Sequence, residues 1–191
     1  MAGKAQPGSK HACYFNSELH AGNFLGFDLG LNYVFQQSYA IRAGYTQTYQ
    51  RASTLPKDYT PGVLGVLLLG VASPFQSAVH YQLAVGKLLP LNQSGTVRFN
   101  LMAGVGYTDA KEPAGWQPIG ANFWEPNYSW EYRSFRAYTI LVNPKLELPL
   151  LRYFGITLSP LLMLNRYNTY FGLGVGQTVG MLRPPKPQNS Y

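Results

Sequence analysis

At 191 residues the chain is one domain by length, long enough for a closed barrel of about eight strands and too short for a second independent core. Charged residues make up only 12% while aromatics reach 15%, through 15 Tyr and 10 Phe on a mean hydropathy of -0.12, which argues against a cytosolic enzyme. The longest apolar run, Gly62 to Ala72, falls well short of the roughly 20 residues of a transmembrane helix, and the +7 net charge is too scattered to suggest nucleic acid as a partner.

Residues 1–13 read as a disordered arm or the remnant of a cleaved signal peptide, with Gly3-Lys4-Ala5 before Gln6 as a small-residue cleavage site. Cys13 is the single cysteine, so no internal disulfide forms, and its flanks lack the apolar stretch that precedes a lipid-modified cysteine. A barrel domain is expected over 14–182 and a flexible Pro-rich tail over 183–191. Tyr14 to Gly22 is a short first strand with poor alternation. From Leu25 the period sharpens. In LGFDLGLNYVF, Leu25, Phe27, Leu29, Leu31, Tyr33 and Phe35 share one face while Gly26, Asp28, Gly30 and Asn32 share the other. Apolar side chains on one face and polar ones on the other suit a strand between lipid and a lumen. After the break QQS, YAIRAGYTQTY sets Tyr39, Ile41, Ala43 and Tyr45 against Arg42, Gly44, Thr46 and Thr48, which reads as a hairpin.

RASTLPKDYTPG is a loop. GVLGVLLLGVASP, with apolar residues at both parities, is either a strand facing a locally apolar interior or a membrane-dipping segment of an outer loop. AVHYQLAVGKLL and TVRFNLMAGVGYT alternate again around the turn NQSG, with His80, Gln82, Arg98 and Asn100 on the polar face. Asp109 to Arg133 reads as a long irregular stretch carrying Trp116, Trp124 and Trp130, and loops of that length are usually functional. FRAYTILVNPKLELPLL places Asn143, Lys145 and Glu147 opposite Val142, Leu146 and Leu148. FGITLSPLLMLN and TYFGLGVGQTVGML close the series, the last with glycine at every second position of its inner face. Proline cannot donate to a ladder, so Pro144, Pro149 and Pro160 are expected at bulges or strand ends. Taking Tyr14–Gly22 as a strand and Gly62–Ala72 as loop gives an even count of eight and puts both long loops on one side of the membrane, opposite the tight turns.

GLNYVF-QQS-YAIRAGYT at Gly30 to Thr46, echoed by FNLMAGVGYT at Phe99 to Thr108, resembles the small outer-membrane β-barrel family of Gram-negative bacteria over about Tyr14 to Leu182. The resemblance implies an all-β, antiparallel up-and-down transmembrane barrel in the bacterial outer membrane, in contact with outer-membrane lipid and lipopolysaccharide. Its motifs encode architecture rather than chemistry. One departure is the end of the chain: many such proteins finish on a strand-closing aromatic, whereas here the last strand stops near Leu182 and the terminal Tyr191 follows Pro184, Pro185 and Pro187.

Asp28, Arg42, His80, Arg98, Lys145 and Glu147 fall on the inner face and must pair, since isolated buried charge is costly. They are expected to form a polar network that plugs the lumen; a narrow conduit is the functional alternative. An envelope-lipid-modifying enzyme would need a serine such as Ser77, Ser134 or Ser159 beside His80, and no motif brings them together, so no catalytic residue is assigned. His11, His20, His80 and Cys13 lack metal-ligand spacing, and neither metal nor cofactor is expected. Trp116, Trp124, Tyr128 and Trp130 serve either as interface anchors or as a recognition loop for an extracellular glycan or protein. The expected role is a non-enzymatic barrel, structural or adhesive. A soluble lipocalin-like barrel would demand the reverse facing.

Overall fold

The computed structural model describes residues 11–67, 74–92, 96–120 and 123–182. The proposed cleavage site and the Pro-rich tail lie outside these residues. Eight antiparallel strands close into one barrel: β1 (His11–Gly22), β2 (Leu25–Phe35), β3 (Tyr39–Arg51), β4 (Phe75–Pro90), β5 (Arg98–Pro118), β6 (Tyr128–Pro149), β7 (Phe154–Asn165) and β8 (Thr169–Gly180). A six-residue helix, α1 (Gly62–Leu67), stands in the β3–β4 connection. β1 begins at His11, ahead of the expected Tyr14, and pairs with both β2 and β8.

From Cys13 the register partners lead to Tyr33 on β2 and on around the sheet to Phe171 on β8. The Phe171 carbonyl accepts from the N–H of Asn23 at 3.0 Å, so the barrel closes with a stagger of ten residues. That shear tilts the strands by about 40° and leaves an interior just wide enough for side chains to fill.

Exposure is inverted relative to a water-soluble protein. Leu25, Leu31, Ile41, Leu83, Val105, Ile140 and Leu173 point outward and are exposed, while twenty-one polar or charged residues are buried among the described ones. Only lipid makes such a surface favourable. Tyr45, Tyr81, Tyr107 and Tyr138 are consecutive register partners on the outer face, with rings 5.7 Å apart for Tyr45–Tyr81 and 6.1 Å for Tyr107–Tyr138. Amphipathic rings at this level mark one edge of the apolar belt.

Three short connections lie at one end: 36–38, 91–97 and 150–153. Gln36 and Gln37 both take positive φ (52° and 58°), and Ser38 N–H donates to Phe35 at 3.2 Å, the turn whose twist matches a two-residue hairpin. The long connections 52–74 and 119–127 share the opposite end, as the strand count anticipated.

Two expectations need correction. The stretch from Asp109 to Arg133 is not irregular: β5 continues to Pro118 and β6 starts at Tyr128, paired throughout with one irregularity between Ala114 and Gln117. Pro144 and Pro160 sit at neither bulges nor strand ends. Pairing between β6 and β7 stops after Val142↔Leu162 and resumes in the same register at Leu146↔Leu158, and in the gap the Asn143 side chain donates to the Pro160 carbonyl at 2.8 Å. A local substitution of one donor replaces the ladder there. Pro149 does end its strand.

Candidate functional site

All six residues predicted for the lumen are buried. Near the short-turn end, Glu147 accepts from Arg98 (2.6 Å), Tyr14 (2.7 Å) and Asn100 (3.0 Å), and Arg98 also donates to the Leu182 carbonyl at 2.8 Å. Further along, Arg42 pairs with Asp28, which also accepts from Thr46 at 2.6 Å, while Gln82 accepts from Arg42 (3.0 Å) and donates to Thr46 (2.8 Å). Each carboxylate is thus met by a cation and by neutral donors, the condition under which buried charge is tolerated.

The expectation that the five charges Asp28, Arg42, Arg98, Lys145 and Glu147 meet one another fails at Lys145. Lys145 pairs with Glu18 at 2.6 Å, and Glu18 also accepts from Ser159 (2.6 Å) and Thr157 (3.1 Å). Glu18 escaped notice because Ser17 interrupts the apolar parity of YFNSELHAG and Tyr14 the polar one; its signal was the spacing Tyr14, Asn16, Glu18, His20, a full polar face of β1. His80 forms no salt bridge among the described residues. Its ring nitrogens contact Thr48 (3.1 Å) and Thr108 (2.7 Å), and the edge of Tyr170 stands 4.9 Å away. Ser159 is committed to Glu18, so the residues weighed for nucleophilic chemistry do not converge. The apolar side chains of Met102, Leu141, Leu161 and Met163 occupy further interior volume.

Glu18, His20 and Asp28 do bring ligand-type atoms within 4.8 Å of one another. Lys145 and Arg42 already neutralise both carboxylates, so a metal ion entering there would add uncompensated charge to a closed interior.

At the loop end, β5 and β6 run past the belt as a two-stranded hairpin. From Tyr107, nine residues carry β5 to Trp116, roughly 20 Å beyond the tyrosines at the strand tilt. Trp116 and Trp130 (5.6 Å), Trp116 and Tyr128 (6.4 Å), and Tyr59 against both tryptophans (6.0 and 6.2 Å) make one aromatic cluster. Trp124 is separate, against Phe123 at 5.3 Å in the exposed tip. Polar contacts fasten the β3–β4 connection to the hairpin. Asn127 accepts from Thr60 N–H (2.8 Å) and donates to the Asp58 carbonyl (2.9 Å), Tyr128 donates to the Asp58 carboxylate (2.9 Å), and Trp116 donates to Thr54 (3.3 Å). That carboxylate favours the neutral phenol and raises the Tyr128 pKa; burial does the same to Tyr59. Just beyond the tyrosine belt, Arg51, Lys111 and Arg136 lie exposed on the outer face, Arg136 touching Asp109 at 3.4 Å.

No protein-family model and no curated protein matches the chain. Solved structures do. A major outer membrane protein of Thermus thermophilus aligns with a TM-score of 0.60 at 14% identity, covering 88% of this chain and 99% of that one. Ail, the attachment invasion locus protein of Yersinia pestis, aligns at 0.53 and 13% over 90% of this chain and 97% of its own, and has also been solved with the heparin analogue sucrose octasulfate. Neisserial surface protein A aligns at 0.52 and 11%, with 91% and 99% covered. The chain has the fold of the small eight-stranded outer-membrane β-barrels.

Proposed function

We propose that this protein is a non-enzymatic barrel of the bacterial outer membrane, its lumen plugged by polar side chains, whose long-loop end serves as an adhesive or recognition surface. The observation that carries the reading is the fastening of the β3–β4 connection to the protruding β5–β6 hairpin through Asn127, Asp58, Tyr128 and Trp116. A hairpin extended this far from the belt costs ordering entropy that a purely structural barrel has no need to offset. Trp116, Tyr128 and Trp130 are engaged in holding that arm together, and roughly 20 Å beyond the belt they do not serve as interface anchors.

The chemistry at the base of the arm suits an anionic sugar. Arg51, Lys111 and Arg136 follow the tyrosine belt on β3, β5 and β6, at headgroup level, where phosphates of lipopolysaccharide would meet them; a sulfated glycan presents the same charge. The complex of Ail with a heparin analogue lends this support. Against a lipid-modifying enzyme stands His80, held by two threonines and bonded to no serine among the described residues. Binding of sucrose octasulfate and of lipopolysaccharide to the protein in nanodiscs, read by calorimetry, tests the proposal. Lys111→Glu with Arg136→Glu is expected to weaken either ligand about tenfold or more. Binding of neither ligand by the wild type refutes the recognition of anionic sugar.

A further inference from the structure

Few polar side chains interrupt the lipid-facing wall among the described residues. Gln47, one of them, is served within the chain: it accepts from the Tyr45 hydroxyl at 3.3 Å and donates to the hydroxyl of Tyr49. Gln177 on β8 and Ser17 on β1 are register partners that face outward, and neither side chain makes a hydrogen bond among the described residues. Both lie inside the apolar belt. Phe15 and Leu19 flank Ser17 along β1, Val175 and Val179 flank Gln177 along β8, and the four are between 44% and 72% exposed. An amide held in hydrocarbon without a partner is costly.

The pair stands in a groove of the outer wall. Phe27 and Leu29 of β2 bank it on one side and Ile156 and Val175 on the other, and its floor is low where Ser17 stands between larger neighbours. Towards the loop end it continues over Ala21, between Leu25 and Leu173. We propose that this groove is the interface of a dimer with a second copy of the chain in the same membrane, the two Gln177 amides pairing across a two-fold axis along the membrane normal. Acyl chains can fill a groove but offer neither donor nor acceptor, and the ester carbonyls of lipid lie at the interface and only accept. A primary amide donates and accepts, so it is its own complement, and two copies exchange two N–H···O=C bonds. Depth is matched by symmetry. Copies inserted in one orientation and related by an axis along the normal bring Gln177 to Gln177 at one level, which no other membrane protein guarantees. The groove presents no outward charge for an ionic partner: Glu18 and Asp28 beneath it point into the lumen, paired with Lys145 and Arg42. Small side chains at Ser17 and Ala21 let the facing wall approach closely, the condition for packing in lipid. Such a dimer holds its two long-loop arms on the same side of the membrane.

The test uses the full chain in phosphatidylcholine vesicles, with Cys13→Ala removing the native thiol and Lys57→Cys, in the exposed β3–β4 connection, carrying a donor or an acceptor dye. Energy transfer between copies is expected to follow a monomer–dimer curve as the protein-to-lipid ratio rises. Gln177→Leu keeps the lipid face apolar and is expected to weaken association about tenfold, with the heat-dependent gel mobility of the folded barrel unchanged. In the Cys13→Ala background without the dye site, Gln177→Cys is expected to give a disulfide-linked dimer on mild oxidation, and Leu83→Cys, across the barrel on β4, is not. Transfer no greater than random mixing at every ratio, equal transfer in Gln177→Leu, or equal cross-linking at both positions overturns the proposal. Sucrose octasulfate binding per chain is expected to be the same in Gln177→Leu, so failure of the dimer leaves the anionic-sugar reading standing.

Discussion

Replacing Glu18 by leucine leaves the Lys145 ammonium, at 2% side-chain exposure, with its carboxylate partner gone, and frees the hydroxyls of Ser159 and Thr157. Removing one member of a buried pair costs about 3–5 kcal/mol, because the survivor keeps its desolvation penalty and loses its attraction. Lys145→Met is the milder change, near the bottom of that range, since Glu18 still accepts from Ser159 and Thr157 and has His20 Nε2 at 3.4 Å. Glu18→Leu with Lys145→Met removes both charges and fills the space with hydrocarbon. The double variant is expected within about 1 kcal/mol of wild type, or more stable, because an apolar replacement of the whole pair is often neutral or favourable. Reversible urea unfolding in phosphatidylcholine vesicles, followed by tryptophan emission, supplies the four free energies of the cycle. If Glu18→Leu alone costs under about 1 kcal/mol, or the double variant loses the sum of the singles, the lumen charges are not coupled as described.

Four further outcomes follow from particular contacts. Gly30→Val drives a branched side chain into the Arg42 guanidinium and the Asn16 amide and is expected to cost about 1–3 kcal/mol in the same unfolding assay. Asn127→Ala frees Asp58 and Thr60, so trypsin should cut after Lys57 faster in the variant while the barrel's gel mobility stays unchanged. Tyr128 holds its proton above the ordinary value near 10; the folded pKa is the raised one, so its contribution to arm stability is full below pH about 10 and lost as pH climbs through the folded value. Cleavage after Lys57 should therefore accelerate with pH in that range, measured against a Tyr128→Phe control. Planar-bilayer recordings of the wild type should show no stepwise conductance, and discrete openings would favour the narrow conduit over the plug.

Much of the barrel was legible because lipid and lumen impose opposite demands on alternate residues. Leu25 to Phe35 showed this fully, and the strand, its facing and Asp28 came out together. Pairing across the lumen was not legible. Nothing in local spacing says that Lys145 meets Glu18, 127 positions away, rather than Asp28 or Glu147; that choice is made by the ten-residue stagger, a property of the closed sheet. The prolines misled for a related reason. A missing donor at Pro144 implies a bulge only if both neighbouring strands must pair there, and β7 happens to carry Pro160 across the same gap.

Asp109 to Pro118 and Tyr128 to Arg133 were misread because alternation identifies a strand only where its two faces meet different solvents. Between Tyr107 and the short-turn end, one face of β5 meets lipid and the other the lumen, and Val105, Ala103 and Leu101 alternate with glycine, methionine and asparagine. Past Tyr107 the outer face turns polar at Asp109 and Lys111 while Thr108 and Ala110 still face the interior; beyond Ala110 both faces meet water or the β3–β4 connection, and the period is lost while the backbone ladder to β6 continues. What holds the pairing there is the main chain, braced by Tyr59 and its tryptophans in place of lipid. The polar turn of the outer face at Asp109 therefore marks the membrane edge rather than a strand end.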